Sequence, residues 1–504
     1  MHLSDNMKNG LDSGVTSSLF DYVKRLGTNT FIYALGDFLV KGFMLLLIPL
    51  YTSFLLTSDY GILGVTDMVS GMMGIILTLQ LTGAITIYYF RLDATERKLL
   101  LSTIWLFFLI IPTSITFVLI ILGNKSFNTI FPDIPFSPYI QLALVGGYLT
   151  IFSLIPQTLF RLREQPVPLV LFNLFGFGIN IGLSIYFVVV LHMGARGVLW
   201  AFFISNAIMA VIYIIVTLKD VSLIFSWPLL TKSIILCIPL LPHMLSYWAL
   251  SLSDRAILQA YVPLSDLGIY RLAFQFGTAF QLFVTAANNA WIPIFFNKAV
   301  DKKSWEKLSR LATYLVLALI MIGTGIAIFA GEIIRLVTPV SYHSAAKIVP
   351  FFILGSLINI FYLIWANATV FSKHTSWMTI GSVIAATINI IANLLTIPTF
   401  GIAAAAVNAV GGSVVLALVH FFVSRRLLPL PHEYGRWAKV CLTALTLYIF
   451  GGLLPKSVIW INLVGRAAIW CSWPVILIVL GFWNKNEYNF ARKFLTHLIA
   501  KWGL

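Results

Sequence analysis

Runs of about 18–28 apolar residues follow one another along almost the whole chain, parted by short polar breaks, and each is long enough to cross roughly 30 Å of hydrocarbon as a helix. The bilayer core offers no water to backbone N–H and C=O groups, so runs of this length must satisfy those groups within themselves, as α-helices. Fourteen runs are read, at about 29–54, 60–89, 99–122, 138–160, 167–190, 195–218, 233–260, 266–296, 308–331, 346–371, 376–397, 400–424, 437–454 and 459–483. The composition agrees: 59% of residues are hydrophobic and 10% charged, against about 25% charged in soluble domains. The expected fold class is an all-α polytopic membrane protein.

Charge supplies the topology. Cytoplasmic loops of membrane proteins collect Lys and Arg, and with a cytoplasmic N-terminus 24 of the 33 basic residues fall on that side. Clusters such as Lys302, Lys303, Lys307 and Arg310 alternate with loops that hold a single cation, such as Lys125. The net charge of +15 is therefore read as topology and not as nucleic-acid binding, and both termini are expected in the cytoplasm. The opening stretch, MHLSDNMKNGLDSGVTSSLFDYVKRLG, lacks the apolar core of a cleavable signal peptide, so the first hydrophobic helix is expected to stay as an anchor. Cys237, Cys441 and Cys471 are too widely spaced for a metal site or a disulfide framework.

Two short stretches recur. TSDYGILG at 57–64 and LSDLGIYR at 264–271 align on Ser58 and Ser265, 207 residues apart; GARGVLWA from Gly194 and GIAAAAVN from Gly401 keep the same separation. Each stretch opens an apolar run, and the Ser and Asp suit the capping of a helix start. Six runs lie between the copies, an even number, so both cross in the same direction, which is the signature of a parallel repeat. The expected organisation is a tail at 1–28, six-helix bundles at 29–218 and 233–424, an extra helix pair at 437–483 and a tail at 484–504.

A charge at the bilayer centre costs about 2.5–3.5 kcal/mol on insertion scales. The first run carries Asp37 and Lys41, one helical turn apart and on one face. Asp67 lies in the second run, Asp254 and Arg255 in the seventh, Arg271 in the eighth and Arg466 in the last. Arg271 and Arg466 are close enough to an outer end to snorkel. None of these charges recurs at the repeat offset, where Trp248, Ile48 and Gly64 stand opposite Lys41, Arg255 and Arg271. An asymmetric, basic set on a repeated frame suits an anionic head group such as pyrophosphate. Asp37, Asp67 and Asp254 are candidates for ion coupling or charge pairing. Amides such as Gln157, Asn180, Asn389 and Asn408 within the runs can bond between helices or line a wet cavity; both readings stand. Pro239 and Pro242, in PLLPH, mark a hinge candidate.

The stretches NTFIYALGDFLVKGFMLLLIPLYTSFLLTSDYGILG and SLSDRAILQAYVPLSDLGIYRLAFQF resemble the first and the seventh-to-eighth helices of the polysaccharide-transporter family, the O-antigen and exopolysaccharide repeat-unit flippases. The resemblance runs from about residue 25 to 483 and includes the Asp254-Arg255 pair. It implies a fold like that of the multidrug/oligosaccharidyl-lipid/polysaccharide exporters (MATE-like) and a polyprenyl-pyrophosphate-linked oligosaccharide as substrate. It also implies alternating access in the bacterial inner membrane, with H+ or Na+ as coupling ion and no other cofactor. Membrane lipids, a polysaccharide polymerase and a chain-length regulator are the implied partners. By position, Lys41 and Arg255 become head-group contacts, joined by Arg271. A multidrug exporter and a peptidoglycan-precursor flippase are the competing readings within the fold. An enzyme is not expected, since the longest outer loop, GNKSFNTIFPDIPFSP, offers only Asp133 as an acid.

Overall fold

The computed structural model describes residues 32, 35–36, 38–40, 42–454, 459–484 and 487. Among these, every regular element is helical. The principal helices are α1 (Ile48–Phe54), α2 (Thr57–Thr78), α3 (Ala94–Ile130), α4 (Phe136–Leu162), α5 (Pro166–Val190), α6 (Gly194–Leu218), α7 (Trp227–Tyr261), α8 (Leu264–Lys298), α9 (Lys302–Val337), α10 (Val349–Phe371), α11 (Ser376–Leu427), α12 (Tyr434–Leu453) and α13 (Trp460–Val479). Eleven of the described helical runs are long and apolar enough to cross a membrane. One of them, the 52-residue α11, contains two of the expected spans, parted at Gly401. The total of fourteen remains the expectation drawn from sequence.

Large apolar side chains such as Phe117, Leu395 and Leu46 point outward, as they do when the surrounding solvent is lipid. The chain forms two compact units, Met1–Gly268 and Ile269–Leu504. In the first, α2 packs against α4, α6 and α7, and α5 lies on α6; in the second, α10 packs against α9 and α11, and α9 also carries α12 and α13.

Local backbone geometry follows the residue types. PLLPH interrupts the α-helix: α7 is helical from Trp227 to Cys237, tightens to a 3-10 turn at Ile238–Leu240, and resumes at Leu241. Proline removes the amides that would continue the α ladder there. The expected span 60–89 is broken: Leu79 and Gln80 adopt left-handed conformations with φ of 46° and 55°, and a short helix, Thr82–Tyr88, follows. The repeat is written into the backbone, because Gly194 and Gly401 both take positive φ, 59° and 58°, a region that glycine enters without a Cβ penalty. Beside Gly194, the Asp59 carboxylate accepts the Ala195 amide at 3.1 Å and, through its other oxygen, the Leu56 amide at 3.0 Å. The expected capping acid thus joins the starts of two helices.

Candidate functional site

Candidate residues of the first unit gather where α2 and α7 run antiparallel. Arg255 Nη1 donates to the Gly64 carbonyl and Trp248 Nε1 to the Met68 carbonyl, each at 3.3 Å. These bonds set the register: two turns of advance along α7 correspond to one turn of retreat along α2. Asp254 and Arg255 are 4% and 2% exposed. Neighbours on a helix point about 100° apart, and Arg255 finds a carbonyl of another helix. Asp67 stands on α2 three residues beyond Gly64 and is exposed. Arg271 is half-buried on α8 and belongs to the second unit. Asp37 and Lys41 lie outside the described residues. The structure therefore brings Arg255 onto α2, the helix that carries Asp67.

At the other end of the first unit a second polar cluster forms. Arg163, just past α4, grips Asp220 with two hydrogen bonds of 2.5 and 3.0 Å and donates from Nε to the Tyr89 hydroxyl at 3.1 Å. The Asp220 bond dominates in raising the Arg163 pKa above its ordinary value, against the opposing pull of burial. Arg97 lies over the Tyr89 ring, 4.5 Å from its centre. Bidentate arginine–carboxylate pairing of this kind fixes orientation as well as charge, and it ties the ends of α4 and α6 together.

The second unit holds a buried ion pair that the sequence reading missed. Glu332 on α9 is 1% exposed and meets Arg466 of α13 at 2.7 Å. Arg466 also donates to the Ile328 carbonyl, and Trp470 Nε1 donates to the Met321 carbonyl at 3.0 Å. Arg466 thus has a carboxylate and a carbonyl of the packed helix as partners. The expected span ended at 331, one residue short of Glu332. A carboxylate at the edge of an apolar run, opposite a lone arginine, was the available signal.

Many of the span amides bond between helices. Asn408 donates to Asn393 and Thr396, both at 2.8 Å, while Asn389 donates to the Asn408 carbonyl at 2.8 Å, closing the two arms of α11. Asn367 donates to Asn288 at 2.9 Å and Asn180 to Ser205 at 3.1 Å. The second unit contains an apolar cavity of about 310 Å³ between α9, α10 and α12, walled by Phe351, Leu354, Leu357, Phe361 and Tyr448 among others. It could take a hydrocarbon chain and offers little to a charged group. No cluster of three or more metal-ligating side chains occurs among the described residues.

The family described as polysaccharide biosynthesis protein matches residues 26–299, more than half of the 504-residue chain. The chain belongs to that family. No curated protein matches it in sequence. Among solved structures, lipid II flippase MurJ in an inward closed conformation is similar, with a TM-score of 0.74 and 14% identity, covering 89% of this chain and 99% of that one. A MATE-family multidrug resistance transporter of the MOP superfamily is also similar. Its inward-facing form gives a TM-score of 0.60 at 15% identity and its outward-facing form 0.55 at 14%, each covering 82% of this chain and 95% of that one. This polysaccharide biosynthesis protein is thus a multi-pass membrane protein with the MurJ/MATE fold of membrane transporters.

Proposed function

We propose that this polysaccharide biosynthesis protein is a flippase for polyprenyl-pyrophosphate-linked oligosaccharide repeat units. It works by alternating access in a bacterial inner membrane, with both termini in the cytoplasm and a proton or sodium gradient as driving force. The observation that carries this reading is the family match over residues 26–299, on a chain whose intramembrane charges include Lys41, Arg255 and Arg271. Cations held in a water-excluded path suit a pyrophosphate, while the apolar cavity of the second unit suits part of a hydrocarbon tail. Lys41, Arg255 and Arg271 contact the head group; Asp37, Asp67 and Asp254 pair with them or carry the coupling ion. Arg255 is held by the Gly64 carbonyl in the conformation described, so it meets a head group only after α2 and α7 part. No enzymatic step is required.

The likeness to MurJ favours one second reading, a lipid II-type peptidoglycan precursor as cargo. Proteoliposomes loaded with fluorescent undecaprenyl-pyrophosphate oligosaccharide, with and without a proton or sodium gradient, separate the two. Protein-dependent transfer of that head group supports the proposal, and the gradient that accelerates it identifies the ion. Transfer of a lipid II analogue alone replaces the cargo. Uptake of a cationic dye alone replaces the flippase reading with drug export.

A further inference from the structure

Between α6 and α7 the first unit contains an irregular stretch, Val221–Ser226, which directly follows Asp220, the partner of Arg163. Its backbone is tied to α3: the Ser222 amide donates to Ser102 Oγ at 2.6 Å and the Ser226 amide to Thr103 Oγ1 at 3.1 Å. Both acceptors are buried. Between the two ties Leu223, Ile224 and Phe225 are exposed, and so is Trp227, the first residue of α7. A stretch held in one shape with its large apolar side chains outward is built to meet an apolar neighbour. In a membrane protein that neighbour is lipid, and tryptophan is enriched where hydrocarbon gives way to head groups.

Beside that stretch the first half of α7 packs against α3 and the short helix Thr82–Tyr88 and leaves an open groove of about 790 Å³. Its walls include Tyr88, Trp227, Thr231, Lys232, Ile235 and Pro239. The Lys232 ammonium lies over the Tyr88 ring, 5.3 Å from its centre. No carboxylate among the described residues pairs with it. From Trp227 to Pro239 the helix rises about 18 Å, close to the roughly 15 Å that one leaflet contributes to the hydrocarbon core. The groove thus offers a cation and a hydroxyl toward its Trp227 end and an apolar wall beyond them, over the depth of one leaflet.

We propose that this groove binds an anionic phospholipid of the surrounding bilayer, with the phosphate on Lys232 and Thr231 and one acyl chain along Ile235 and Pro239. An unpaired ammonium complements a single phosphodiester, and the apolar wall, which gives a free anion nothing, matches one lipid tail. The site is independent of the molecule transported. Its test is native mass spectrometry of the full chain in detergent, titrated with phosphatidylglycerol or with phosphatidylcholine of the same acyl chains. The wild type is expected to retain phosphatidylglycerol in preference. Lys232→Ala should weaken that retention roughly fivefold, the share of one basic residue beside an anionic head group, and leave phosphatidylcholine unchanged. Lys303→Ala, at an exposed lysine of the second unit, should alter neither. Equal retention of the two lipids, no loss in Lys232→Ala, or the same loss in Lys303→Ala overturns the proposal. Displacement of phosphatidylglycerol by equimolar inorganic phosphate or polyprenyl phosphate also overturns it, giving the groove to a free anion or to the cargo.

Discussion

α2 and α8 begin with the same motif and end differently. α2 stops at Thr78, passes through two left-handed residues, Leu79 and Gln80, and restarts at Thr82. α8 continues for 35 residues through Ala286 and Ala287, the positions at the repeat offset, and past Pro293. Placing non-glycine residues in the left-handed region costs about 1–2 kcal/mol each, so the break must satisfy its own backbone. It does so: the Leu81 amide reaches the Thr78 carbonyl at 3.0 Å and the Gly83 amide reaches the Gln80 carbonyl at 2.8 Å. The two copies share the sequence of their helix starts and differ in the interior, where the first is broken and the second is one continuous helix.

The units also differ in how they place their ion pairs. Arg163–Asp220 is partly exposed, with side chains 28% and 17% accessible, whereas Glu332 is 2% accessible at its side chain beneath Arg466. The largest effect is therefore expected in the second unit. Arg466→Ala leaves Glu332 buried without its cation and should lower stability by about 3–5 kcal/mol, read as thermal unfolding in detergent. Adding Glu332→Ala should recover much of the loss, and a double variant no better than the single would show that the pair acts only through packing.

Next in size are the shared positive-φ glycines. Gly194→Ala and Gly401→Ala should each cost about 1–3 kcal/mol, while Gly178→Ala, inside a helix and facing open space, should stabilise by about 0.5–1 kcal/mol. A loss at only one of the two would break the equivalence of the copies.

The third effect is confined to the second unit. Burial pushes the His432 pKa down to about 4 from its ordinary 6.5, with Trp437 tilted against the ring and Tyr434 edge-on to it. The unfolded chain binds that proton first, so stability is full above pH 6.5 and falls as pH drops from there toward 4, by about 1 kcal/mol at pH 5.5. His432→Gln should flatten the pH dependence of unfolding in that window.

Smallest, and opposite in sign between the copies, is glycine at the break. Gln80→Gly should stabilise by about 0.5–1 kcal/mol because its φ is positive, and Ala287→Gly should destabilise by about the same in a continuous helix. Equal signs would mean that the break is not held by its left-handed residues.

Reading the chain alone sufficed for the membrane class and most helix positions. Those follow from length and polarity, because hydrocarbon leaves a backbone no partner but itself. The break in α7 at PLLPH was legible for a similar reason, since proline acts on its own turn. Of the candidate site, the sequence marked Asp254 and Arg255 as costly to bury and placed them on one helix. It did not show that Arg255 reaches the Gly64 carbonyl, that Arg466 reaches Glu332, or that Arg163 takes Asp220. Helical periodicity tells which residues share a face, whereas the partner of a face depends on the helices packed against it, and the chain settles that choice only when it folds.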